Sequence, residues 1–247
     1  MAKAGNGRMG CEEEDDDRPS LSLHTLEALK EFLAEQGEQQ RKMTSHHHVS
    51  SFKGEDDDSL AEPSLLSEDW RLSQFWYEKE TAETVAEELI RLSKEALSPI
   101  ACIACPTLYA YLKKMDPSVR VQLLEYDKRF EQYGSDFTFY DYNQPEDLPV
   151  ALKHAFSIIV ADPPYLSKEC LEKVAQTLNF LAEPVGSYAL LLTGEVQRER
   201  AEELLNMYPC GFRPKHSSKL GNDFMLFTNY DPVDRLGGWL KTSYSQL

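Results

Sequence analysis

From residue 81 onward, short apolar runs alternate with amphipathic segments, and that alternation leaves few folds open. Ala82, Val85, Ala86, Leu89 and Ile90 keep the i, i+3, i+4, i+7, i+8 spacing of a helix over 81–97. A strand is then predicted over Ile100–Cys105, a helix over Thr107–Met115, and a strand over Val119–Glu125. Next come a helix over Lys128–Tyr133, with Asp127 as its N-cap, a strand over Phe137–Tyr140 and a helical stretch over 145–153. A strand over Phe156–Ala161, a helix over Lys168–Leu181 capped by Ser167, a strand over Tyr188–Leu192 and a helix over Val196–Asn206 follow. Strands separated by helices pair in parallel, with the helices covering both faces of the sheet. The last two runs, Gly211–Pro214 and Asp223–Tyr230, have no helix between them and should form a hairpin, so that one strand runs antiparallel. The fold expected is α/β: a doubly wound, mostly parallel, seven-stranded sheet with a terminal antiparallel hairpin. No internal repeat is visible.

Residues 1–64 read differently. Glu12 to Asp17 are six consecutive acids, His46-His47-His48 and Glu55-Asp56-Asp57-Asp58 follow, and only 21–36 shows a helical face, through Leu26, Leu29 and Leu33. The expected division is a mostly disordered acidic leader (1–64), one domain (65–232) and a short tail (233–247). The net charge is −16 over 247 residues, with 7 basic and 15 acidic residues before position 65 and 19 and 27 after it. Each part therefore carries −8, so the acidity is not confined to the leader. A nucleic-acid binder neutralises phosphates with Lys and Arg, so this balance favours a basic protein partner. No apolar stretch approaches the roughly 18 residues of a membrane helix, and the N-terminus lacks an apolar secretory core, so a cytoplasmic protein is expected. An odd count of cysteines (Cys11, Cys102, Cys105, Cys170, Cys210) argues for reduced thiols. Cys102 and Cys105 form a lone CxxC without the second ligand pair that zinc requires, so no metal site is expected.

Chemistry concentrates at strand ends, where parallel sheets open into a ligand crevice. Glu125 ends one strand about 20 residues beyond the end of the first, the offset at which an acid accepts nucleotide ribose hydroxyls. Asp141 follows the third strand and can accept from an adenine amino group. The loop after the first strand, Ala104-Cys105-Pro106-Thr107-Leu108-Tyr109, contains no glycine. A pyrophosphate has difficulty approaching such a turn, whereas S-adenosylmethionine, which has no phosphates, asks less of it. Asp162-Pro163-Pro164-Tyr165 follows the fourth strand directly. In methyl transfer to an amine, the attacking nitrogen must aim its lone pair. Asp162 and the Pro163 carbonyl can each accept one N–H, two prolines stiffen the turn, and Tyr165 offers a ring to a base or an ammonium. For a lysine acceptor Asp162 is expected mainly to orient the nitrogen. Upstream, Phe75-Trp76-Tyr77 cannot all face the core of one helix, so at least one should line a pocket. The segment reads as a lid over cofactor and substrate, with Gln74 as a polar contact.

The segments LSQFWY (72–77), LLEYDKRF (123–130), FTFYDYN (137–143) and IIVADPPYLS (158–167) together resemble the elongation factor 1-alpha lysine methyltransferase 1 family. That family was once labelled an N6-adenine-specific DNA methyltransferase because of its Asp-Pro-Pro-Tyr run. The resemblance covers roughly residues 65–232. It implies a class I methyltransferase fold, S-adenosylmethionine as cofactor, elongation factor 1-alpha as protein substrate, no nucleic acid, and a cytoplasmic enzyme, with a monomer as the default. It also implies a glycine-free first loop. By position, Asp162, Pro163 and Tyr165 are the expected catalytic set. Glu125, Asp141, Cys105, Gln74 and Phe75 are expected to hold the cofactor, and Trp76, Tyr77 and Pro164 the substrate. Two rivals stay open at this point: an N6-adenine methyltransferase of DNA or RNA, and a non-catalytic methyltransferase-like scaffold subunit.

Overall fold

The computed structural model describes residues 65–218 and 223–240. The leader 1–64, including the helix expected at 21–36, and residues 241–247 of the tail lie outside the described residues. Among the described residues the chain runs α1 (Lys79–Ala96), β1 (Ile100–Ile103), α2 (Pro106–Met115), β2 (Val121–Glu125), β3 (Phe137–Phe139), β4 (Ile158–Ala161) and α3 (Lys168–Leu181). It continues through β5 (Tyr188–Gly194), α4 (Arg198–Leu205), β6 (Tyr208–Pro209) and β7 (Phe224–Thr228), with short 3-10 turns between several of these. The seven strands form one sheet of order β3-β2-β1-β4-β5-β7-β6. The first five are parallel, and β7 is antiparallel to both β5 and β6. This is the doubly wound sheet of a class I methyltransferase, with the single reversed strand that the missing helix implies.

The two-residue period of each strand divides the core between two faces. Ile100, Cys102, Leu123, Val160 and Leu190 pack with Val85 and Leu89 of α1 and Leu108 and Leu112 of α2. Ala101, Ile103, Leu124, Ile159 and Ala161 pack on the opposite side with Leu171, Val174 and Leu178 of α3. Burial of each leucine contributes about 2 kcal/mol, which is what holds helices on both faces. α1 follows the sequence pattern, burying Ala82, Val85, Ala86 and Leu89, while Ile90 stays partly exposed at its edge. Asp127 accepts from the Arg129 N–H and Ser167 from the Cys170 N–H, as their capping positions predict. No helix of the described residues is long and apolar enough to cross a membrane.

Several expected boundaries are corrected. Cys105 leaves the sheet and becomes the N-cap of α2, Tyr140 lies beyond β3, and Phe156 makes only an isolated bridge with Ala182. The helix expected over 145–153 is only a 3-10 turn, Val150–Leu152. Pro145 and Pro149 each remove an amide donor and restrict the residue before them. The segment after Asp127 is 3-10 as well, Lys128–Asp136, and breaks at Gly134 (φ 59°). The strand expected at Gly211–Pro214 lies earlier, at Tyr208–Pro209, on the sheet edge, where the missing proline N–H costs no ladder bond. Gly211 instead meets the chain after β7. Its N–H donates to Gly238 O at 2.9 Å, and a Cβ there would stand 2.7 Å from Gly237 O. Residues 233–240, which the sequence pattern leaves as tail, fold against this edge and bury Leu236.

Glu88 of α1 ties that edge to the body. It is 3% exposed and accepts from Arg91 (2.8 and 3.0 Å), the Tyr230 hydroxyl (2.9 Å) and Arg235 Nε (2.8 Å). Burial alone would raise its pKa; Arg91, Arg235 and Tyr230 outweigh that and hold it below the usual glutamate value. Its ionised form is therefore favoured by folding, and that stability is present above the unfolded pKa and lost as pH falls through the folded one. Glu88→Gln should cost about 1–2 kcal/mol at pH 7 in urea unfolding, with the difference shrinking in acid.

Candidate active site

The order β3-β2-β1-β4 places the switch point between β1 and β4, since the chain winds one way to β3 and then starts β4 on the other side of β1. The backbone is stitched across that point. Asp162 N donates to Ile103 O at 3.0 Å, Ala104 N to Leu124 O at 2.8 Å and Tyr140 N to Glu125 O at 3.0 Å. These bonds gather the carboxyl ends of four strands around one cavity of about 320 Å3.

Its walls hold nearly every residue singled out in the sequence: Gln74, Phe75, Trp76, Cys105, Glu125, Asp141, Asp162, Pro163, Pro164 and Tyr165. Tyr77 is the exception. It sits behind the wall, 4% exposed, its ring 4.5 Å from the His216 ring and its backbone bridged to His216. The three aromatics thus divide, with Phe75 and Trp76 facing the cavity and Tyr77 facing the core. Burial pushes His216 down to about 4, so it is a neutral stacking partner at ordinary pH.

The glycine-free loop solves its geometry with an alanine. Ala104 lines the cavity in the left-handed region (φ 53°), where a glycine would be at ease. Cys105 then caps α2 and Pro106 opens it. Cys102 and Cys105 are both buried free thiols. Burial and the neighbouring Cys102 push the Cys105 thiol well above its usual range, so it offers the cavity a neutral wall and no nucleophile.

The acids differ in environment. Glu125 is 6% exposed, and burial pushes it up to about 7, although its Oε1 accepts the Asp127 N–H at 3.2 Å. Asp141 closes a turn, accepting the Asn143 N–H at 2.9 Å. Asp162 is pushed up to about 8, first by desolvation and further by the charge of Glu125, with Tyr77 acting against both. The Tyr77 hydroxyl is turned toward Asp162 yet makes no hydrogen bond of good geometry among the described residues. Tyr165 is 44% exposed at the mouth, 5.8 Å from the Tyr142 ring. Gln197, 3% exposed, donates to Leu166 O at 2.5 Å and so pins the chain just after Tyr165.

Sequence reasoning missed Ala104, Tyr142, Asn143 and Gln197, and took Asp127 for a cap alone. Tyr142 and Asn143 adjoin Asp141 and had a positional signal; Gln197 had none, since its role depends on α4 meeting the loop after β4. Among the described residues the lining contains no Lys, Arg or His. Such a wall has nothing to neutralise a phosphate and suits a cationic ligand carrying hydroxyl and amino donors, which is the chemistry of a sulfonium nucleoside.

Residues 68–232 match the family model described as Probable N6-adenine methyltransferase. The chain is 43% identical over 220 residues to EEF1A lysine methyltransferase 1 of Homo sapiens, covering 88% of this chain and 95% of that protein. It is 40% identical over 219 residues to a protein-lysine N-methyltransferase of Dictyostelium discoideum, 87% of this chain and 92% of the relative. A third, from Caenorhabditis elegans, is 34% identical over 227 residues, 88% and 97% respectively. The chain belongs to this family. The family's description names adenine, whereas these three relatives are named for lysine, so membership alone leaves the acceptor to be decided by the site. The matched span takes in all seven strands of the sheet and the segment 72–76 that lines the cavity.

Two outcomes follow from the geometry. Folded Asp162 keeps its proton up to about pH 8, whereas the unfolded side chain ionises near its ordinary value of 3.8. Native stability is therefore lost as pH rises between these values. Asp162→Asn should be more stable than the parent at pH 8 in urea unfolding, the two converging toward pH 4. At position 104, Ala104→Gly should stay within about 1 kcal/mol of the parent. Ala104→Val, β-branched at positive φ, should lose about 2 kcal/mol by the same measurement.

Proposed function

We propose that this protein is a protein-lysine N-methyltransferase, using S-adenosylmethionine to methylate a lysine of translation elongation factor 1-alpha, as a cytoplasmic monomer. The observation that carries the reading is the lining of the cavity: three acids and a ring of aromatics, with no cation among the described residues, around Asp162-Pro163-Pro164-Tyr165. The names of the relatives, human and amoebal alike, support lysine as acceptor. Glu125 and Asp141 hold the hydroxyl and amino donors of the cofactor, with Phe75, Cys105 and Ala104 as its walls. When bound, the cofactor supplies an electrophilic methyl group on a sulfonium.

The chain's own residues prepare the nucleophile. A lysine arrives as an ammonium with a pKa of about 10.4, and its nitrogen has no lone pair until a proton leaves. A carboxyl at about 8 lies closer to the amine in proton affinity than an ordinary aspartate at 3.8, though at neutral pH only part of it is ionised. With its proton in place Asp162 orients the nitrogen through its carbonyl oxygen, and its ionised fraction, which grows as pH approaches about 8, takes the ammonium proton. The Pro163 carbonyl accepts the remaining N–H and fixes the direction of the lone pair. Trp76, Pro164 and Tyr165 line the entry of the side chain, and Tyr165 presents its ring to the incoming ammonium.

The test uses the purified protein, tritiated S-adenosylmethionine, purified elongation factor 1-alpha and, in parallel, duplex DNA and total RNA. Label should enter the elongation factor, survive nuclease and be lost to protease, and Asp162→Ala should reduce incorporation by about 100-fold or more. Nuclease-sensitive label would transfer the activity to adenine. No incorporation into either, with no cofactor binding by calorimetry, would leave a scaffold.

A further inference from the structure

Arg129 lies outside the cavity, and no part of the mechanism uses it, yet it joins the two segments on which cofactor binding depends. Its Nε donates to Asp127 Oδ2 at 2.8 Å, and its Nη2 lies 2.6 Å from the same oxygen. Nη2 also donates to Gln74 Oε1 at 3.0 Å, and Nη1 to Ser67 O at 3.3 Å. Gln74 completes the ring. Its Nε2 donates to Asp127 Oδ2 at 3.0 Å, and its Oε1 accepts the Asp69 N–H at 3.1 Å. The Gln74 amide is thus occupied by protein partners on both ends, although the residue lines the cavity.

Two elements meet here. Leu72, Ser73, Gln74, Phe75 and Trp76 are the lid side of the cavity. Asp127, 6% exposed, stands two residues beyond Glu125 and donates its N–H to Glu125 Oε1 at 3.2 Å. We propose that Arg129 is a positioning residue for cofactor binding: its guanidinium latches the lid segment 67–74 to the loop after β2 and thereby holds Glu125 in its accepting orientation. This inference rests on the methyltransferase reading above.

The physical reason is specific to a fork of donors. One planar group meets a side-chain carboxylate, a side-chain amide and a backbone carbonyl at once, which an ammonium cannot do in a fixed geometry. Removing it leaves Asp127 buried beside Glu125 with its main cation gone, and leaves Gln74 Oε1 with one donor instead of two. Both changes act on the cofactor end of the cavity. Neither touches Asp162, Pro163 or Tyr165, which lie on the loop after β4.

The test measures the affinity of S-adenosylhomocysteine by calorimetry, together with steady-state kinetics on elongation factor 1-alpha, for the full chain and for Arg129→Ala, Arg129→Lys and Gln74→Ala. Arg129→Ala should weaken S-adenosylhomocysteine binding by ~10- to 100-fold. It should also raise KM for S-adenosylmethionine, with kcat at saturating cofactor falling far less than kcat/KM. Arg129→Lys should recover only part of the affinity. The double variant Gln74→Ala/Arg129→Ala should bind little worse than Arg129→Ala alone, since both substitutions open the same latch. Should Arg129→Ala fail to fold, Arg129→Lys and Gln74→Ala carry the same comparison. Affinity within about twofold of the parent in these variants, or a kcat loss equal to the loss in kcat/KM, would overturn the latch and leave the methyltransferase reading intact. A parent protein that binds no S-adenosylhomocysteine would remove that reading, and the latch with it.

Discussion

The parallel pairing of β1 with β4 is the constraint on which the site depends. Its register sets Ile103 beside Ala161, so the two strands end together. One amide then crosses the gap, from Asp162 to Ile103 O, and fixes where the aspartate leaves the sheet. With β2 paired on the far side of β1, Ala104 is held to Leu124 in the same way. The loops after β1 and β4 consequently leave the sheet side by side, and residues of both line one cavity. Asp162 and Glu125 are desolvated because the ends of adjoining strands place both among buried neighbours at this cavity.

That desolvation carries a cost that the rest of the fold offsets. Two carboxyls raised toward neutrality are native groups that work against folding as pH rises. The strands beneath them are the most completely buried part of the sheet, with Ile100–Ile103 and Ile158–Ala161 at 0% exposure. The loop after β1 adds strain of its own through Ala104. Strain and unfavourable burial therefore lie together at the carboxyl end of the sheet, on top of its tightest packing, which is where a rigid site has to be supported.

The strand-helix alternation made the sheet legible because its period changes from two to 3.6 at nearly every boundary. The strand-end acids were legible for the same reason: once β2 and β4 are placed, Glu125 and Asp162 have only one end of the sheet to occupy. What the sequence concealed depends on contacts between distant segments. Tyr208–Pro209 carries no alternating pattern and is a strand only because β7 and residues 233–240 flank it. Gly211 signals a turn in isolation but serves a close approach to Gly237. Gln197 and Arg129 look like surface residues of polar segments, and their partners, Leu166 and Gln74, lie 31 and 55 residues away. Tyr77 belonged by sequence to an aromatic run facing one pocket, and only its bridge to His216 turns it inward.

The raised Asp162 also bears on the choice of acceptor, because adenine and lysine ask opposite things of a carboxylate. An adenine amino group is neutral, so an aspartate serving it needs only to accept a hydrogen bond, and one that stays ionised at low pH does this best. Burial that raises its pKa works against that role. A lysine is cationic and cannot attack until deprotonated, so an acceptor whose proton affinity approaches that of the amine lowers the barrier. Among the described residues of the lining no cation faces Asp162, and an arriving ammonium favours its ionised form, the form able to take the proton. The Asp-Pro-Pro-Tyr loop is common ground for both chemistries; the desolvated Asp162, in a lining with no cation among the described residues, is what favours lysine.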